Sequence, residues 1–134
     1  MHISKVVVLL IILAGCSLNA PEGDYQQINE WVHENIEYAS MDGAQDAAVT
    51  IRTGEGDCLA QVILFLRLVE QQHGVRGELV VLNNGDSEGI LHAVALVEGI
   101  YYDPTGGRVL PDVPADRIVE VWSYEYTAWL AVWN

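Results

Sequence analysis

The sequence predicts an α+β fold in which a cysteine-bearing helix packs on an antiparallel β-sheet, and three features carry that expectation. Leu59, Val62, Ile63, Leu66 and Val69 recur at helical spacing, and the pattern stops at His73-Gly74, a C-terminal helix signal. After Gly74 the apolar period changes from 3.6 to 2, so residues 78–82, 90–97 and 100–103 read as strands. Glu98-Gly99, between the last two of these, suits a two-residue hairpin turn.

The chain has 134 residues, room for one domain. Hydrophobic residues make up 51%, a share inflated by the first fifteen positions. With 6 Lys+Arg against 19 Asp+Glu, the formal charge is −13. Phosphate binding needs a basic face, so no nucleic-acid partner is expected. The same balance argues against charge-driven docking on anionic lipid.

Residues 1–15 read as a lipoprotein signal peptide. Lys5 gives a positive start, and residues 6–13 are eight consecutive apolar positions, too short to span a bilayer. Leu13-Ala14-Gly15-Cys16 resembles the bacterial lipobox, in which the cysteine is acylated and becomes the new N-terminus. A membrane anchor through lipid on Cys16 follows, and Ser17 in the next position favours the periplasmic face of the outer membrane. Residues 16–23 are then the lipidated cysteine and a polar tether, and residues 24–134 the folded domain. Two cysteines in an exported protein first suggest a disulfide. If Cys16 carries lipid, Cys58 is a free thiol in an oxidising compartment.

Asp24 caps a first helix to about Tyr38, with Gln27 completing a capping box. Its apolar stripe is Tyr25, Ile28, Trp31, Val32 and Ile36, while His33 lies off the stripe among glutamates and reads as a solvated residue. Residues 40–56 are a loop, with a helical turn suggested at 46–51. Thr53-Gly54-Glu55-Gly56-Asp57-Cys58 then delivers the cysteine to the central helix, with Asp57 as N-cap. A helix N-terminus favours negative charge, and hence the reactive thiolate. His73 reads as a C-terminal helix residue favoured by the dipole. Residues 83–86 read as a turn. Residues 118–133 are rich in Val, Trp, Tyr and Thr, which favours further strands, although 126–132 also fits a short helix.

The hairpin fixes a register. With Glu98-Gly99 as the loop, Val97 pairs with Ile100, Leu96 with Tyr101, Ala95 with Tyr102 and Val94 with Asp103. The period of two places His92 on the face of Val94. His92 and Asp103 are then diagonal cross-strand neighbours, with Cβ atoms within roughly 7–8 Å. A helix on that face would bring Cys58 to the other imidazole nitrogen. The arrangement is that of a nucleophile (Cys58), a general base (His92) and an orienting carboxylate (Asp103). The backbone N–H of Cys58 is placed for one oxyanion donor.

Gly56-Asp57-Cys58-Leu59-Ala60, Leu66, Gly74-Val75, His92-Ala93, Val97 and Tyr102-Asp103-Pro104-Thr105 together resemble the core of the transglutaminase-like superfamily. The resemblance covers residues 48–107. It implies a papain-like α+β fold, with Cys58 as nucleophile, His92 as base and Asp103 as third member. It implies thiol-dependent amide chemistry on protein or peptide substrates, with no cofactor. Val94 stands where many members carry an aromatic residue, and the extra domains of animal transglutaminases are missing, so no calcium requirement is carried over. The superfamily spans proteases, deamidases, amide ligases and members without activity.

Cell-wall amidases of papain type also place Asp-Cys at a helix start, but Asp103-Pro104-Thr105 fits the transglutaminase-like pattern better. A metal site on Cys58, His92, Asp103 and His73 lacks paired ligand spacing. A non-catalytic adaptor lipoprotein on the same fold is the main alternative.

Overall fold

The computed structural model describes residues 18–84 and 89–133. Cys16 and Ser17, and the second half of the turn expected at 83–86, lie outside them. The elements in order are α1 (Tyr25–Asn35), β1 (Glu37–Tyr38), α2 (Ala47–Thr53), β2 (Glu55–Gly56), α3 (Cys58–His73), β3 (Glu78–Asn83), β4 (Leu91–Val97), β5 (Ile100–Asp103), β6 (Arg108–Leu110), β7 (Ile118–Trp122) and α4 (Tyr124–Trp133). A single 3₁₀ turn, Ala115–Arg117, precedes β7.

The five-stranded sheet has the order β6-β5-β4-β3-β7 and is antiparallel throughout. The fold is therefore the expected α+β arrangement. α3 is apolar nearly all round because it is covered on all sides. The sheet lies on one side, and α1, α2 and α4 pack on the others. A helix of this kind is a core helix rather than an amphipathic surface one. Leu79, Val81, Ala93, Ala95 and Val97 project from β3 and β4 onto it, with Phe65 and Leu66 among the residues that receive them.

The opposite sheet face carries a smaller cluster of Val80, Leu82 and Val94, flanked by Leu96, Tyr101 and Ile118. His92 pairs in register with Leu82 and so belongs to this second face. The helix body was expected on the face of His92, and it packs on the other. His92 is the second residue of β4 and Cys58 the first of α3, so the two are offered from the ends of their elements and not from facing surfaces.

Three element boundaries differ from expectation. α1 stops at Asn35 because Glu37 and Tyr38 turn extended and pair in parallel with Glu55 and Gly56. The helical turn expected at 46–51 is a seven-residue helix, ended by Gly54 at φ +70°. β6 is formed because Arg108–Leu110 folds back on β5. In the C-terminal stretch both suggestions hold, each over part of it, as β7 followed by α4.

Candidate active site

The turn before α3 is built to present its first residue. Asp57 caps the helix, its carboxylate accepting the Ala60 N–H at 2.9 Å. Gln61, buried, donates from Nε2 to the Gly56 carbonyl at 3.0 Å and pins the turn from behind. A Cβ on Gly56 would meet the Ala60 methyl at 2.8 Å, so the turn needs glycine there. Cys58 follows, half-buried and not disulfide-bonded.

The hairpin has the predicted register: Val97 with Ile100, Leu96 with Tyr101, Ala95 with Tyr102. Glu98 and Gly99 both take positive φ, +49° and +82°, the signature of a two-residue turn that matches strand twist. As that register requires, His92 Nε2 donates to Oδ1 of Asp103 at 3.0 Å. The Cys58 thiol lies on the other side of the imidazole, near enough to help raise its pKa. With Nε2 on the carboxylate, Nδ1 is the ring nitrogen left to face the sulfur. The structure thus brings all three sequence-predicted residues of the domain into one row.

Burial grades along the row. Asp103 is 2% exposed, the His92 side chain 26%, and Cys58 half-buried. The row thus runs from a buried carboxylate to two partly exposed groups. Electrostatics follow the same order. His92 is pushed up to about 9, first by its hydrogen bond to Asp103, then by Cys58, against burial, which lowers it. For Asp103 burial alone raises the carboxyl, but the hydrogen bond and charge of His92, the Gly106 N–H and Arg108 outweigh it. The carboxyl ends below its ordinary value. At neutral pH His92 is therefore an imidazolium held between an anionic carboxylate and the thiol.

Sequence reasoning missed the supports of Asp103. Arg108 Nε stands 3.6 Å from Oδ2, and the Gly106 N–H reaches Oδ1 at 3.4 Å. The loop after Asp103 is clasped by α1: Gln26 donates to the Gly107 carbonyl at 3.2 Å, Asn29 to that of Arg108 at 3.1 Å, and His33 to that of Thr105 at 2.8 Å. His33 is exposed as expected, yet it has this structural partner. These contacts depend on how α1 lies across β6, which no local pattern reports. Tyr38 was likewise missed. It is exposed beside the site, and its hydroxyl is raised first by partial burial, then by the charges of Cys58 and Asp57.

A cavity of about 610 Å³ lies elsewhere, lined among others by Leu18, Asp46, Arg67, Tyr124 and Ala128, and touches none of the three residues. The chemistry is located by the hydrogen-bonded row and not by the size of that hollow.

The class that fold and row define is a papain-like α+β domain with a Cys–His–Asp arrangement. No protein-family model and no curated protein matches the chain. Among solved structures it is similar to a candidate cysteine protease from Cytophaga hutchinsonii, at 21% identity and a TM-score of 0.55. The match covers 87% of this chain and 42% of the other, so the chain spans less than half of that protein. At that identity the likeness establishes the fold.

Proposed function

We propose that this chain is a cysteine-nucleophile enzyme of amide bonds, acting on proteins or peptides of the bacterial cell envelope. The observation that carries the reading is the row Asp103–His92–Cys58, with the imidazole hydrogen-bonded to the carboxylate and near enough to the thiol to be raised by it. The cysteine-protease-like fold supports it.

In this reading Cys58 reacts as the thiolate, its proton being the one held by His92. The sulfur attacks the carbonyl carbon of a carboxamide, the C=O π bond breaks onto oxygen, and a tetrahedral adduct forms. Its oxyanion takes the backbone N–H of Cys58 at the start of α3, where the helix dipole adds to the donor. The protonated His92 gives its proton to the leaving nitrogen, the C–N bond breaks, and a thioester remains on Cys58. Neutral His92 then takes a proton from the incoming water or amine, whose attack breaks the C–S bond and releases Cys58 as the thiolate, restoring the starting pair. Asp103 keeps the ring in the required tautomer and stabilises the imidazolium. Water on a peptide bond gives proteolysis, water on a glutamine gives deamidation, and an amine gives a cross-link.

Acylation of Cys16 and attachment to the periplasmic face of the outer membrane complete the proposal. The test is mass spectrometry of envelope proteins incubated with the wild-type chain and with Cys58→Ala. Cleavage, a one-dalton gain or a cross-link, present with wild type and lost in the variant, supports the reading and names the reaction. No product, with Cys58 reacting with iodoacetamide no differently after His92→Ala, sinks it in favour of a non-catalytic adaptor.

A further inference from the structure

From Leu18 onward the stretch expected to be a tether is bound to the C-terminal turn of α3. Gln71 brackets Leu18 with both ends of its amide, accepting the Leu18 N–H at 2.9 Å and donating to its carbonyl at 3.3 Å. Gln72 donates to the Pro21 carbonyl at 3.0 Å and accepts the Gly23 N–H at 3.1 Å. His73 donates from Nε2 to the Gly23 carbonyl at 2.8 Å. Three consecutive side chains thus fix where the chain enters the domain. That point is the end of α3 opposite Cys58, and sixteen helical residues at about 1.5 Å each separate the two ends by roughly 24 Å.

Beside the entry point lies α4. Leu18 lines the same cavity as Tyr124, Glu125 and Ala128. α4 turns Tyr124, Thr127 and Ala131 inward, while Tyr126, Trp129 and Val132 are 45%, 56% and 68% exposed. Trp122 meets Tyr126 edge-on at 5.4 Å, and Tyr126 stacks on Trp129 at 6.1 Å, so the rings form one connected surface. Glu125 near it is paired with Arg76 at 2.8 Å. Tyrosine and tryptophan, with an apolar body and a polar edge, suit the boundary between headgroups and acyl chains. A chain of net charge −13 favours a zwitterionic surface over an anionic one.

We propose that the outer face of α4, with Trp122, rests on the bilayer surface and holds the Cys58 end of α3 away from the lipid. The proposal rests on the reading that Cys16 is acylated: the anchor would join the domain two residues before Leu18, directly beside this face. The enzyme is then oriented as well as tethered, and its site faces substrates in the aqueous space and not bilayer components.

The full chain, processed in cells and reconstituted into phosphatidylcholine vesicles, tests this with brominated phosphatidylcholine as a quencher of tryptophan fluorescence. Trp129→Phe is expected to remove much of the bromolipid quenching. Trp31→Phe, on α1 and away from the proposed contact, is expected to leave it intact. Equal losses in the two variants, or no quenching with Cys16 acylated, overturn the proposal. So does a sedimentation result in which Trp129 is shielded by a second copy. The intact mass of the same preparation separates the two failures. A Cys16 without acyl mass removes the anchor reading and this orientation together, whereas acylated protein with unquenched Trp129 removes the orientation alone.

Discussion

His92 and Asp103 share a 3.0 Å hydrogen bond across a hairpin whose turn leaves no freedom of register. The bond is made at Nε2, which leaves Nδ1 free of the carboxylate, and both Asp103 and Cys58 raise the imidazole. The bond to Asp103 is the larger cause and Cys58 the next. An NMR titration of His92 should therefore show a midpoint near 9 in the wild type. Cys58→Ala should lower that midpoint and Asp103→Asn should lower it further. The reverse order of the two variants, or a wild-type midpoint at the ordinary 6.5, would contradict the row as described.

Stability against pH follows from the same shifts, with the signs worked out separately. The folded pKa of His92 lies above the unfolded value of 6.5, so its contribution is whole below about 6.5 and is lost as pH rises through about 9. The shift corresponds to about 3 kcal/mol at most, reduced by the partial exposure of the ring. Asp103 is depressed, so its contribution is present above the ordinary carboxylate range and fades as pH falls below it. Thermal melts should show a plateau in the mildly acidic range and a decline between about 6.5 and 9. In His92→Ala the alkaline decline should flatten; an unchanged decline would assign it to other groups.

Turnover should separate the three residues. In the proposed mechanism Cys58→Ala removes the atom that would form the thioester, and should abolish product. His92→Ala should do nearly the same. Asp103→Asn keeps the shape but accepts a hydrogen bond without its charge, and permits the wrong tautomer, at a cost of roughly 10²–10⁴-fold in rate. Substrate concentration at half-maximal rate should move little in Asp103→Asn, because the carboxylate is buried behind the ring. A large change there with an unchanged maximal rate would mean that Asp103 shapes binding instead.

Much of this site could be read from the sequence because it is set by local rules. The limits of α3 follow from Asp57 and Gly74, whose cap conformations are those the residue types favour. The alignment of His92 with Asp103 follows from counting back from Glu98-Gly99. The face on which α3 lies was less legible. Both faces of β4 are apolar, with Ala93, Ala95 and Val97 on one and Val94 and Leu96 on the other, so hydrophobicity could not choose between them. Small side chains at Ala93 and Ala95 were the available signal, since a helix approaches most closely over alanine. The α1 termination at Asn35 was hidden because its cause, pairing with β2, is a contact across eighteen residues of chain (37 to 55). In the C-terminal stretch the β-branched and aromatic composition of α4 is that of a strand, and packing on α3 overrides it.

Gly107 should be among the least replaceable positions outside the row. It holds φ +69°, and a Cβ there would come within 2.8 Å of the His33 ring. Its N–H also closes the turn onto the Asp103 carbonyl at 2.7 Å. Gly107→Ala meets backbone strain and a clash together and should lower stability by about 1–3 kcal/mol. The double variant Gly107→Ala, His33→Ala removes the clash and leaves the strain, so it should recover part of the loss. Denaturant melts give both values, and identical losses would mean that the His33 contact is not the obstacle.

The last expectation concerns the N-terminal strap. Its bonds to Gln71 and Gln72 are largely exposed, and a net 0.5–1.5 kcal/mol each is the usual range for such bonds. Gln71→Ala should release Leu18, and Gln72→Ala should release Pro21 to Gly23, without disturbing the capping box of α1 at Asp24 and Gln27. Amide hydrogen exchange should then quicken at Leu18 in the first variant and at Gly23 in the second. The amides of α3 between Ala60 and Val69, buried on every side, should keep their protection in both. Turnover of a soluble peptide should be unchanged, since the strap joins α3 at the end remote from Cys58. Loss of protection throughout α3 would show instead that the two glutamines hold the helix itself.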